Sequence, residues 1–156
     1  MEWMILWTFV GLCAVSFPFL LQKHPLKDWL LVYFMTAALS TFVGVFVVAA
    51  GWLEYPARLF PHAFQTSVVF DFLVFPIACV YYNLTSYRSN LGGILAQAVL
   101  YSAPITVLEV WFEKHTQLIK YHRWDWYLTF LLLVLTFLLI RGIMALIRRY
   151  SATNAM

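Results

Sequence analysis

Five long stretches in this chain are almost wholly apolar, and that feature restricts the fold more than any other. They lie at 3–21, 29–51, 64–82, 91–112 and 126–146. A helix rises 1.5 Å per residue, so crossing a hydrocarbon layer about 30 Å thick takes roughly 20 such residues. Each stretch meets that length. The connections at 22–28, 52–63, 83–90 and 113–125 are too short to hold a soluble domain. The expected architecture is therefore all-α: one integral membrane bundle of five transmembrane helices, forming a single domain over residues 1–156. A barrel is excluded, because runs such as Leu131-Leu132-Leu133-Val134-Leu135 are apolar all round and do not alternate.

Composition agrees, with 63% of residues hydrophobic and 11% charged, against about 25% charged in soluble domains. Trp3, Trp29, Trp52, Trp111, Trp124 and Trp126 fall at the ends of the stretches, where indole rings favour the headgroup level; Trp7 falls a turn deeper. A net charge of +3, with basic residues single or paired, gives no stripe for nucleic acid. Because no Lys or Arg precedes residue 23, the first stretch is expected to stay as a span and not to be cleaved as a signal.

Five crossings put the termini on opposite faces. Arg58, Lys114, Lys120 and Arg123 then share one side, and Lys23, Lys27, Arg88, Arg148 and Arg149 the other, with Arg141 near that end of the last helix. The small excess favours an outside N-terminus and a cytoplasmic C-terminus. Arg141 itself reads as a residue that snorkels to the interface. Thr36, Ser40 and Gly44 recur every four residues and make a small-residue face suited to close helix packing. Gly92 and Ala96 begin a similar face, and Ala98, Ser102 and Thr106 form another beside it. Cys13 and Cys79 lie in apolar stretches and read as small buried hydrophobes.

Ionisable groups inside hydrocarbon cost several kcal/mol and need a partner or a purpose. Asp71 and Glu109 are the two, at similar expected depths below the same face. Ser102, Thr106, Glu109 and Glu113 follow a 4, 3, 4 spacing that aligns them as a polar stripe on the fourth helix. Arg58, His62 and His122 belong to connections on that same side. These eight residues form the candidate ligand-binding set. A purely structural alternative has Asp71 or Glu109 paired with Arg58 or Arg123. Imidazoles and carboxylates are also metal-ligand types, yet no spacing such as HExxH occurs, so neither a metal nor a cofactor is expected. Pro76 removes a helical hydrogen bond five residues after Asp71 and is expected to kink the third helix there.

The spaced positions Asp71-Phe72-Leu73-Val74-Phe75-Pro76, Glu109 to Glu113, Leu118-Ile119-Lys120-Tyr121-His122-Arg123-Trp124-Asp125-Trp126-Tyr127, Phe137 and Arg141 resemble the pattern of a family of small multi-pass membrane proteins found mainly in spore-forming Gram-positive bacteria. The resemblance covers about the last 90 residues. It implies a bacterial cell membrane and places Asp71, Pro76, Glu109, His122, Trp126 and Arg141 in the family pattern, without implying a reaction. Tryptophan-rich sensory proteins share the helix count and length, but their proline-rich tryptophan motif is replaced here by Lys23-His24-Pro25-Leu26-Lys27-Asp28-Trp29.

Three functions stay open on this reading. The first is binding or translocation of a cation, proton or small polar solute at an intramembrane acidic pocket. Next comes an accessory or assembly subunit of a membrane complex, docking through the aromatic segment 118–126. The third is a membrane-embedded acid–base or metal-dependent enzyme. The lipid bilayer is the expected surrounding, with a second copy of the chain or a membrane-complex subunit as candidate partner.

Overall fold

A computed structural model describes residues 1–22 and 26–153; Lys23, counted above among the basic residues, lies outside the described residues. Helices α1 (Glu2–Leu21), α2 (Leu26–Ala49), α4 (Leu91–His115) and α5 (Trp126–Thr153) are 20, 24, 25 and 28 residues long. All four are long and apolar enough to cross a membrane. Between α2 and α4 the chain forms a π-helical turn (Phe70–Val74) that runs into α3 (Phe75–Ser86). Two-residue strands β1 (Leu53–Glu54) and β2 (Lys120–Tyr121) pair antiparallel, Leu53 opposite Tyr121 and Glu54 opposite Lys120. The molecule is thus an all-helical bundle whose two connections at one end are tied together.

The burial pattern divides the helices by role. α3 buries Phe75, Pro76, Ile77, Cys79, Val80, Tyr82, Asn83 and Ser86, whereas the long helices turn Trp7, Phe19, Phe34, Phe46, Leu100, Val107, Leu131 and Leu139 outward. Such an exterior is unfavourable in water and suited to lipid. α3 and its π turn, 12 and 5 residues, make a rod of roughly 25 Å, short of the hydrocarbon thickness. Surrounded by protein on most sides, α3 has less need to match that thickness.

The third helix is displaced from the sequence expectation of 64–82. Residues 64–67 are non-helical and the helical run is 68–86. Hydropathy alone favoured the earlier window, but Asn83 stays helical because its Nδ2 donates to the Cys79 carbonyl at 3.0 Å inside the bundle. α4 begins where the sequence places it, since Asn90 Oδ1 accepts from the Gly93 amide at 2.8 Å and caps the helix. α5 begins at Trp126 as expected and runs to Thr153, beyond the expected 146.

At the end opposite β1 and β2, Arg141 has partners on another helix. Its Nη2 donates to the carbonyls of Ser86 and Tyr87 at 3.4 and 3.2 Å. The side chain therefore satisfies backbone acceptors at the end of α3. Arg148 Nε meets Asp28 Oδ2 at 2.7 Å and joins α5 to the start of α2. The cysteines behave as the sequence suggests, both free and buried.

Candidate functional site

Asp71 lies in the π turn and is 4% exposed. Across from it, the Thr36, Ser40, Gly44 face of α2 packs inward, and this explains the spacing of small residues. Ser40 Oγ donates to Asp71 Oδ1 at 2.5 Å. At Gly44 a Cβ would stand 3.1 Å from Thr66 Cγ2 and 3.6 Å from Asp71 Oδ2, so the missing side chain is what lets these groups approach α2. Asp71 Oδ2 and Thr66 Oγ1 are both buried and stand beside each other, and neither makes a hydrogen bond of full geometry among the described residues.

Glu109 is held from the other side of the bundle. Its Oε1 accepts from Tyr121 of β2 at 2.6 Å and from Thr129 of α5 at 2.7 Å. Thr129 in turn accepts from the Trp124 indole at 2.7 Å. The result is a chain of donors running from Trp124 through Thr129 to the carboxylate. Oε2 accepts no hydrogen bond among the described residues. Each acid is thus fixed by hydroxyls on one oxygen, while the other makes no full hydrogen bond among the described residues.

Both carboxylates line one cavity of about 90 Å³, together with Ser40, Gly44, Tyr55 and Thr129. That volume has room for on the order of a few water molecules or a small ligand. No ion pair to Asp71 or Glu109 forms among the described residues. Arg58 instead holds its own loop, donating to the carbonyls of Tyr55 at 2.6 Å and Pro61 at 3.3 Å. The register-fixing alternative, with Arg58 paired to an acid, is not what this geometry shows.

Above this cavity is a wider basin of about 680 Å³ lined by Arg58, Arg123, His122, Glu54 and Gln65. His122 Nε2 is 3.5 Å from Glu54 Oε2 there. Leu53 and Tyr55 belong to the walls of both spaces, so they form the partition between basin and acid cavity. Burial pushes the Tyr55 phenol well above the ordinary tyrosine range, and the neighbouring charges of Glu109 and Asp71 add to the shift. Tyr121 is shifted upward as well, chiefly by burial and then by Glu109. Both phenols therefore remain protonated through neutral pH, Tyr121 as a donor to Glu109.

The other candidates do not converge on the acids. Ser102 and Thr106 are buried on α4, with Thr106 Oγ1 donating to the Ser102 carbonyl at 3.0 Å, and they line neither the acid cavity nor the basin. The expected stripe is continuous along the helix, yet only Glu109 reaches a cavity. Glu113 is half-buried and His62 exposed, and neither lines a cavity. No three His, Cys, Asp or Glu side chains among the described residues group as metal ligands.

Sequence reasoning missed Ser40 as an acid partner, along with Tyr55, Thr66, Tyr121, Trp124 and Thr129. One signal was present for α5: Thr129 and Thr136 interrupt an apolar run seven residues apart, on one helical face, and both line the acid cavity. The segment 118–126 also has an internal use, since Ile119 and Trp124 are buried against β1 and α5, and Leu118 against Leu6 of α1 and Val69. What fold and site define together is a helical bundle with a lipid-suited exterior and two acids facing one internal space. Comparison with known proteins returns no matching family model, no similar curated protein and no similar solved structure.

Proposed function

We propose that the protein crosses a membrane five times and binds or translocates a cation, proton or small polar solute at the Asp71–Glu109 cavity. One observation carries this reading. Two carboxyls line one cavity, Asp71 Oδ2 with only the Thr66 hydroxyl beside it and Glu109 Oε2 accepting no hydrogen bond, and no fixed cation pairs with either among the described residues. Leaving such groups uncompensated costs several kcal/mol, so selection for stability alone would replace them with apolar residues. A proton or a cation delivered from outside the fold supplies the compensation.

Five crossings are supported by which ends meet. The Gln117 amide donates to Glu2 Oε1, and the Ala57 amide to the Gln117 carbonyl, which gathers the start of α1 with both site loops. Asp28, Tyr87 and Arg148 meet at the other end. The distribution of basic residues favours the C-terminal end as cytoplasmic, and the basin then opens outward.

The test is uptake into liposomes holding the purified protein, followed with an internal pH dye and with monovalent cations. Asp71→Asn keeps the shape of the side chain and is expected to abolish uptake while helicity is retained. Uptake equal to wild type in a folded Asp71→Asn protein overturns the proposal.

A further inference from the structure

A second cavity, about 90 Å³, adjoins the acid cavity and is of opposite character. Leu6 and Phe9 of α1, Val74, Ile105, Phe112 and Leu118 give it apolar walls. Its few polar groups include Tyr55 and Glu109, which with Phe70 also line the acid cavity. Glu109 therefore stands at the junction of a greasy space and a charged one. α1 packs on the π turn without extended packing against α4, and Phe9 meets Phe112 edge to face at 5.7 Å between them. The cleft consequently lies between two helices whose remaining surfaces are apolar and outward-facing.

We propose that the ligand is a small amphiphilic cation, a protonated alkylamine, with its ammonium at Glu109 and Asp71 and its short chain in the apolar cleft. This rests on the acid-cavity reading above and names the class of ligand. The hydroxyls of Ser40, Tyr121 and Thr129 already donate to one oxygen of each acid, so the remaining oxygens, with only the Thr66 hydroxyl beside that of Asp71, have room for further donors. An ammonium offers three donors and no acceptor. A carboxylate or phosphate head is repelled by two like charges, and a bare inorganic cation makes no use of the cleft. Rings of Phe9, Phe70 and Phe112 give the chain aromatic surface to pack against. Size limits the chain, because an apolar cavity of about 150 Å³ is what admits benzene.

The experiment measures binding of ammonium, butylammonium, hexylammonium and neutral hexanol to the full-length protein in nanodiscs, with protein-free nanodiscs subtracted. Affinity is expected to rise about threefold to fourfold per methylene for the carbons that enter the cleft and to level off once it is full, with hexanol far weaker than hexylammonium. Glu109→Gln is expected to remove the preference for charge. Leu6→Trp, which fills the cleft, is expected to flatten the chain-length dependence and leave ammonium binding intact; retained helicity and the ammonium signal show that this variant folds. Equal affinity for ammonium and hexylammonium overturns the amphiphile inference and leaves the cation site standing. Hexanol binding as tightly as hexylammonium, or no binding by any amine, overturns it too, while Asp71→Asn uptake decides separately whether the acid-cavity reading falls.

Discussion

Tyr33 of α2 gives its phenolic hydrogen to the carbonyl of Phe72, four residues before Pro76. Proline has no amide hydrogen, so an α-helix containing Pro76 leaves that carbonyl unserved. In lipid no water stands ready to replace the lost donor. The kink expected from the sequence takes the form of a π turn at Phe70–Val74, the same turn that carries Asp71. Tyr33 thereby fixes the backbone that aims the acid.

Removing that hydroxyl tests the coupling. Tyr33→Phe keeps the ring and orphans the Phe72 carbonyl, at a cost of about 1–3 kcal/mol. The loss is expected as an earlier midpoint in a denaturing-detergent titration. Pro76→Ala restores a backbone donor, so Tyr33→Phe is expected to cost less in that background. An equal cost in both backgrounds would show that the phenol does not serve the proline's carbonyl.

How far the sequence revealed this arrangement depends on the kind of signal. Apolar length is a local property, and it located α1, α2, α4 and α5 within a few residues at most ends. Asp71 and Glu109 were legible because an acid within an apolar stretch is conspicuous by its cost. Their partners were not. Ser40, Thr129 and Tyr121 are neutral groups tolerated anywhere in a helix or loop, and their value arises only when α2, α5 and β2 are brought beside the acids. The acceptors of Arg141 were hidden for the same reason, since Ser86 and Tyr87 lie at the end of another helix. The stripe through Ser102, Thr106 and Glu113 was a correct statement about one helical face, but a face does not reveal which part of it meets a cavity.

Tyr55 and Tyr121 yield a prediction about alkaline stability. Both phenols have folded pKa values raised above the unfolded value of about 10. The folded state holds those protons more tightly, so their contribution is fully present below pH about 10 and declines as pH rises beyond it toward the folded values. A detergent-denaturation series from pH 8 to 11.5 is expected to show wild type losing stability faster than the Tyr55→Phe/Tyr121→Phe double variant. Lysine deprotonation is common to both proteins and cancels in the difference. At pH 8 the double variant is the less stable, because Glu109 Oε1 loses the Tyr121 hydroxyl at 2.6 Å, an interaction worth about 1–3 kcal/mol. Parallel pH curves would mean that these phenols titrate as they do in the unfolded chain.

The pair Asp28–Arg148 supports the end of the bundle opposite the acids. Its N···O distance is 2.7 Å, with side chains 18% and 23% exposed, so water and salt screen it less than a surface bridge. Asp28 lies in the first turn of α2, where the helix dipole favours a carboxylate. Arg148 also lies over the Tyr87 ring at 4.3 Å and ties in the end of α3. Arg148→Ala loses both contacts and is expected to destabilise more than Asp28→Asn, which loses only the ion pair and the dipole interaction. A double-mutant cycle is expected to give a coupling of about 1 kcal/mol that persists at high salt. Because the pair is remote from the Asp71–Glu109 cavity, ligand affinity of the folded protein is expected to be unchanged in both variants. Zero coupling would reduce the bridge to a surface contact, and altered affinity would connect the two ends of the bundle.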